Sequence, residues 1–364
     1  MQIATQRTRT PGYLSCLSAA ARATVAVLLL AAAGAANAVT AHSFCVSTAA
    51  QLQQALTDAS DGGMYAGDNN AVKIVMGTYL TGAASGNLPF HYSSTNASGQ
   101  LTVTGGYSAG CPFVHSMDPS TTVLDGNHAT AVLTIASKQS VEVTSLTLRN
   151  GENASGAFAA GLAVDVNGGY ALVQGNIIRD NHTSTEAGGL FVQVKGAGYA
   201  LIYSNLLWHN SADQRFGAAD ILDNGAVGDI AHNTFVHNTT SASGMNGGVY
   251  YGGSASNMFI NDNIFWGNTN AGLQLGTTWV TLQFNDYGAL AGLSPGTSTG
   301  NLHVDPQFVD EAGGDFHLST GSPLLGAAPS HTLLTDLQGY GFPPNGKGDM
   351  GAYAQTIFTD GFEP

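Results

Sequence analysis

The chain has 364 residues, 43% of them apolar and only 9% charged, with 48 glycines, which is ample material for a sizeable core. Glycine at this level without a collagen triplet points to many tight turns. A formal net charge of −14 argues against nucleic acid and anionic lipid as partners and suits solubility, calcium or neutral ligands.

The N-terminus reads as an export signal over residues 1–38. Arg7, Arg9 and Arg22 form a long basic region, Ala23–Ala36 a short apolar run, and Ala36-Asn37-Ala38 a small-residue cleavage site, with Val39 as the expected mature start. The apolar run is too short for a membrane anchor, and no later run is long enough to span one. Removing the signal takes three of the 10 basic residues and no acid, so seven remain against 24 and the net charge becomes −17. The expected location is therefore secreted, or the outer surface of a bacterium. Cys16 lies in the signal. Cys45 and Cys111 remain, an even pair in an exported chain, for which a disulfide is the default.

Residues 39–71 read as an N-terminal cap. Within them Leu52, Ala55, Leu56 and Ala59 recur at helical spacing behind Ser47 or Thr48, which predicts a short amphipathic helix closing one end of the molecule. Val72–Tyr79, Leu101–Tyr107 and Val123–Asp125 follow as irregular strands, and Ala131–Ile135 and Val141–Leu148 alternate with period 2. A repeated phrase then appears: NIIRDN at Asn176, NLLWHN at Asn205, NTFVHN at Asn233 and NIFWGN at Asn263, spaced 29, 28 and 30 residues apart. Self-similarity at this period means stacked units, none of which buries its own apolar face.

Each unit reads as three short strands. The first follows a glycine, as in Gly161-Leu162, Gly189-Leu190 and Gly248-Val249; the second includes YALVQ at Tyr170 and YALIY at Tyr199; the third is the repeated phrase, with Leu148, Ile178, Leu207, Phe235 and Phe265 facing inward. Parallel strands one unit apart lie about 4.8 Å from each other, so equivalent side chains stack. Asn176, Asn205, Asn233 and Asn263 would form one ladder, and Asn181, Asn210, Asn238 and Asn268 a second, satisfying amide and turn groups that have no water. Asn181 and Asn238 sit in formal glycosylation sequons, but the ladder role takes precedence. The fold expected is all-β, a right-handed single-stranded parallel β-helix over residues 72–300. A β-propeller, with repeats nearer 40–50 residues and antiparallel blades, fits the period poorly. After Gly272 the pattern decays through a last incomplete unit, Val280–Phe284, into a Gly/Ser/Thr-rich loop at Gly288–Gly300.

Residues 301–356 read as a closing segment and 357–364 as a tail. The closing segment holds Asp305-Pro306-Gln307-Phe308, Phe316-His317-Leu318, Ser322-Pro323 and Asp349-Met350-Gly351-Ala352-Tyr353. With Gly105-Gly106-Tyr107, Cys111, Asp118-Pro119 and Val123-Leu124-Asp125-Gly126, these resemble bacterial secreted β-helix proteins of the choice-of-anchor Q type, in the pectin-lyase-like superfamily. The chain departs from that pattern around Gly326, where an acid is usual, and at Ala354, where the closing residue is Glu. The resemblance implies the fold and export; it implies no particular reaction.

Alternation places Ala163, Phe191, Asp220, Tyr250 and Gln274 in one outward column of the first strands, with Asp165 and Gln193 beside it. Aromatic rings among carboxylates and amides suit a sugar-binding groove, made here of Asp165, Phe191, Gln193, Tyr250 and Gln274. The loops entering these strands bring Glu186, Asp213 and Arg215 near Asp220. For an enzyme, Asp220, Arg215 and Asp213 are the candidate catalytic residues, with Arg215 as the base or carboxylate clamp, and Asp213, Asp220 and Asp223 would hold calcium, the only cofactor the pattern invites. On the third strands Arg179, Trp208, Val236 and Trp266 face outward beside Asp180, His209 and His237. The motifs of polygalacturonases and pectate lyases are absent, as are nucleotide-binding and nucleophile-elbow motifs. The expected function is therefore non-catalytic binding of an extracellular polysaccharide or other surface component. The alternatives are a lyase or hydrolase of acidic polysaccharide and a structural, adhesin-like shaft.

Overall fold

The computed structural model describes residues 39–82, 88–153, 158–225, 227–255, 257–329, 335–342 and 347–354. The expected export signal and the expected 357–364 tail lie outside the described residues. From residue 39 on, the chain folds as a right-handed parallel β-helix. Its first sheet has ten parallel strands, from Ala41–Val46 to Thr297–Thr299. The second has eight, from Phe90–Ser94 to Leu290–Gly292, and the third eight, from Gly77–Leu80 to Asp286–Tyr287. Along one turn of the coil the chain visits the second, first and third sheets in that order, as in Leu162–Asn167, Ala171–Gln174 and Ile177–Arg179.

A fourth strip was not legible as strand. Glu152–Asn153, His182–Thr183, Ser211–Ala212 and Thr239–Thr240 pair in parallel, so the entry loops carry their own short ladder. The expected three strands per turn become four over this stretch. The coil starts earlier than expected, and its last turns are more regular. Ala41–Val46 pairs in parallel with Asn69–Val75, which puts the first strand of the coil inside the 39–71 segment. At the other end Leu290–Gly292 and Thr297–Thr299 are strands, where a loop was expected. The helix is Ala49–Ala59. Thr48 caps it by accepting the Gln51 N–H, and Leu52, Ala55, Leu56 and Ala59 are the buried face.

Register is exact through the regular turns. Leu148, Ile178, Leu207, Phe235 and Phe265 pair in sequence and are buried. Val143, Val173, Ile202, Ile230 and Ile260 do the same in the first sheet. Each such side chain contributes roughly 1.5–3 kcal/mol when taken from water.

The corners between sheets explain the repeated phrase. Ser204, His232, Asp262 and Phe284 all have φ between 52° and 60°, and each precedes a ladder asparagine; Asp180, His209 and His237 do so in the second ladder. A left-handed corner costs a non-glycine residue about 1–2 kcal/mol. The asparagine that follows offsets it. In the first ladder the main-chain N–H and Nδ2 of Asn205 both donate to Oδ1 of Asn233, each at 2.9 Å, while Nδ2 also reaches the Val173 carbonyl. The same pattern links Asn176, Asn205, Asn233 and Asn263 and continues to Asn285 and Asn301. The second ladder links Asn181, Asn210, Asn238 and Asn268. Gly161 lets it pass: a Cβ there would lie 2.8 Å from Asn181 Nδ2 and 2.4 Å from the Gly189 carbonyl.

Cys45 and Cys111 form a disulfide across a separation of 66 residues, tying the first strand to the loop after the third strand of the first sheet. Loop-closure entropy for that span amounts to about 4 kcal/mol. Reduction is therefore expected to lower the urea midpoint, and the matched C45A/C111A variant to lower it equally; an unchanged midpoint in both would show that the helix alone holds this end.

Past the coil, the hairpin Phe308–Asp310 and Asp315–Leu318 folds back over the outer face of the third sheet. Phe316 meets Trp208 edge-on at 5.3 Å, and the Ala352 N–H donates to Thr234 Oγ1. Trp208 and Trp266 are thus packed under the closing segment. The family-like motif residues serve this packing: Asp349 accepts the Gly326 N–H, and Ser322 Oγ donates to the Pro306 carbonyl.

Candidate functional site

The outward column of the second sheet has the register expected from alternation: Ala163, Phe191, Asp220, Tyr250 and Gln274 are successive partners. Outward does not mean exposed. The entry loops fold back on this face, bridging at Ala159, Ala187 and Phe216. Each loop places one side chain on the column residue of the following turn, and the two are chemically alike. Phe158 stacks on Phe191 at 4.5 Å; Glu186 meets Asp220; Phe216 stacks on Tyr250 at 4.6 Å and 6°; Asn246 donates to Gln274 Oε1 at 3.1 Å. These pairs are 33, 34, 34 and 28 residues apart in sequence, a regularity visible in the chain but meaningless without the loop geometry.

The carboxyl pair is the chemically unusual member. Asp220 is fully buried, and neither oxygen accepts a hydrogen bond from a protein donor. Burial and then the Glu186 carboxylate push it up to about 7, against the pull of Arg215. Arg215 instead pairs with Glu186 at 3.0 Å. The guanidinium therefore sits on Glu186, and burial beside that carboxylate favours the protonated form of Asp220.

The other expected site residues divide plainly. Asp213 turns away from Asp220 toward His182, at 3.6 Å, and Ser241. Asp223 lies three residues beyond Asp220 and therefore points into the coil. There it accepts the Gly225 N–H, and burial pushes it up to about 6; its charge and burial together raise the neighbouring Tyr251 hydroxyl. The expected calcium set of Asp213, Asp220 and Asp223 is thus corrected: strand alternation separates its members, and among the described residues no three His, Cys, Asp or Glu groups are placed to hold a metal. Arg215 and Asp220 do meet, through Glu186, without Asp213.

The groove is corrected at one point. Phe191 is 1% exposed and forms a satellite core with Ala159, Ala163 and Ala187, so its ring offers no face to a ligand. Gln193, Tyr250 and Gln274 remain part-exposed, and Asp165 is bridged by Lys195 at 3.0 Å. The Tyr250 hydroxyl lies over Gly252 and Gly276, where a Cβ would come within 2.8 and 2.2 Å of it. On the third sheet, Asp180, His209 and His237 occupy left-handed corners, which fixes their spacing; His237 pairs with Glu311 at 2.7 Å. Asn181 and Asn238 are wholly buried, which removes both sequons as modification sites in the folded chain.

Residues 122–286 match the family model described as right handed beta helix region. No curated protein and no solved structure matches the chain. Among the described residues no helix is long and apolar enough to cross a membrane.

Proposed function

We propose that this is an exported, non-catalytic β-helix of the choice-of-anchor Q kind within the pectin-lyase-like superfamily, which binds an extracellular polysaccharide or other surface component along its second sheet. The observation that carries the reading is the complete burial of Asp220 beneath the entry loop that carries Glu186. Glycosidases hold their two carboxyls about 5–9.5 Å apart, with room for sugar or water between them. Here Asp220 is sealed from solvent, and Glu186, the neighbour that helps to raise it, is tied to Arg215. What the sheet offers a ligand is a strip of part-exposed polar and aromatic groups: Tyr250 and Gln274 are partners on adjacent strands, about 4.8 Å apart, and Gln193 stands two strands before Tyr250 in the neighbouring column. Such a strip suits an extended neutral or weakly charged chain better than a reaction centre.

The expected result on a glycan array is binding that falls at least about fivefold in Tyr250→Ala and Gln193→Ala, a loss of roughly 1 kcal/mol. Binding unchanged in both variants would remove the strip from the reading. Release of unsaturated products or reducing ends from a uronate polysaccharide, lost in Asp220→Asn, would favour the lyase or hydrolase alternative instead.

A further inference from the structure

The two asparagine ladders end differently. The first runs on to Asn285 and Asn301 because the last turns keep that corner. The second stops at Asn268. Between the inward residues Phe265 and Leu273 the chain spends seven residues on the corner and entry loop; one turn later, between their partners Tyr287 and Leu290, it spends two. The short turn cuts the corner and omits the next asparagine. Beneath the Trp266–Gly272 segment it leaves a half-open cleft of about 360 Å3, with Gly288 and Ala289 on its far side.

The missing residue leaves specific donors. In every earlier turn the asparagine main-chain N–H and Nδ2 both donate to the amide oxygen of the next turn, as Asn238 does to Asn268 at 2.9 and 3.0 Å. Asn268 has no such partner among the described residues. Among the described residues its Nδ2 donates only to the Phe235 carbonyl, at 2.8 Å, and its main-chain N–H finds no protein acceptor. Both face the place where a planar amide oxygen belongs. No charged side chain lines the cleft, and the chain as a whole is strongly acidic, so a neutral acceptor fits better than a carboxylate. Ala289 is exposed on the far side and gives a methyl group an apolar contact, while Phe265 and Ala271 lie buried behind the cleft.

We infer that this cleft binds a carboxamide-bearing sugar of the N-acetylhexosamine class, whose acetamido oxygen takes the position of the absent ladder asparagine. The inference rests on the carbohydrate-binding reading and places a second contact at the end of the second sheet, next to Gln274. Asn268 is half-buried, so a sugar amide oxygen exchanges solvent on two donors for two directed hydrogen bonds, a preference for acetamido over hydroxyl of about tenfold.

The test titrates the mature protein with di-N-acetylchitobiose and with cellobiose, which has the same linkage and no acetamido group. In the 15N spectrum the acetylated sugar is expected to shift the Asn268 main-chain and side-chain amide signals and to bind at least about tenfold tighter. Gly288→Phe is expected to abolish this binding with the melting temperature unchanged, because a Cβ at Gly288 meets nothing within 4 Å and its φ is not in the left-handed region. Gly288→Asn tests the same point by offering an amide in cis. Equal binding of both sugars, unmoved Asn268 signals, or binding that survives a folded Gly288→Phe would overturn the inference. Polysaccharide binding that depends on Tyr250 and ignores Gly288→Phe would leave the strip standing and the cleft refuted. Acetylated-sugar binding indifferent to Tyr250→Ala would do the reverse.

Discussion

Asn233→Ala is expected to destabilise the protein by about 4–6 kcal/mol, the largest effect of any single side-chain truncation in the coil. Asn233 is wholly buried in mid-ladder. Its Oδ1 accepts from the main-chain N–H and Nδ2 of Asn205, each at 2.9 Å, and its Nδ2 donates to the Ile202 carbonyl at 2.8 Å and to Asn263 Oδ1 at 2.9 Å. Alanine leaves those partners without water or substitute, and each orphaned buried group costs about 1–3 kcal/mol. It also leaves the left-handed corner at His232 with nothing to offset it. Aspartate would keep the acceptor, lose both donors and add a buried charge, so it is expected to be no better. Asn301→Ala at the open end of the same ladder removes fewer buried contacts and is expected to cost less than about 2 kcal/mol. Urea unfolding of the three variants measures this directly. A loss below about 1 kcal/mol in Asn233→Ala would mean that the strands hold register without the ladder.

The same ladder shows why the fold was so legible and the face above it was not. A stacked coil repeats its corners, and a left-handed corner followed by a buried amide tolerates few residue types, so NIIRDN, NLLWHN, NTFVHN and NIFWGN record the geometry almost directly. Where the turns shorten, the record fades. Asn285 and Asn301 follow at 22 and 16 residues and fall outside the period, although they make the same hydrogen bonds. The strands Leu290–Gly292 and Thr297–Thr299 hide for the same reason in a Gly/Ser/Thr stretch. Period-2 alternation found the column from Ala163 to Gln274 because register fixes which side of a sheet a residue takes. It carries no information on what lies above that side. Phe191 and Asp220 were placed correctly in the sheet and wrongly in solvent, because their cover comes from Phe158 and Glu186, some 33 and 34 residues upstream. Trp208 and Trp266 lie under the closing segment for the same kind of reason.

Stability is expected to fall as pH rises from about 4 to 8, with Asp220 as the main source, and Asp220→Asn is expected to abolish most of that fall. The sign follows from the pair. In the unfolded chain an aspartate titrates near its ordinary value of 3.8; in the fold Asp220 is held up to about 7. A carboxyl raised in this way binds its proton more tightly when folded. Its contribution is complete below about pH 4 and is lost as pH climbs through the folded value. A shift of about three units corresponds to roughly 4 kcal/mol, as an order of magnitude. Asp223 and Asp286, each raised to about 6 mainly by burial, act in the same direction and set the residual slope that Asp220→Asn should retain. Asparagine at 220 donates to the Glu186 carboxylate without needing a proton, so the variant is expected to exceed the wild type in stability at pH 8 and to approach it at pH 4. Arg215→Ala works oppositely: it removes the one cation that pulls Asp220 down and leaves Glu186 unpaired, which is expected to steepen the loss above pH 6. Melting temperatures of the three proteins at pH 4, 6 and 8 decide the matter. Parallel curves for wild type and Asp220→Asn would show that the proton resides elsewhere. Asp220 would then have to be an ionised carboxylate held open beside Arg215, the one arrangement in which this pair regains a claim to chemistry.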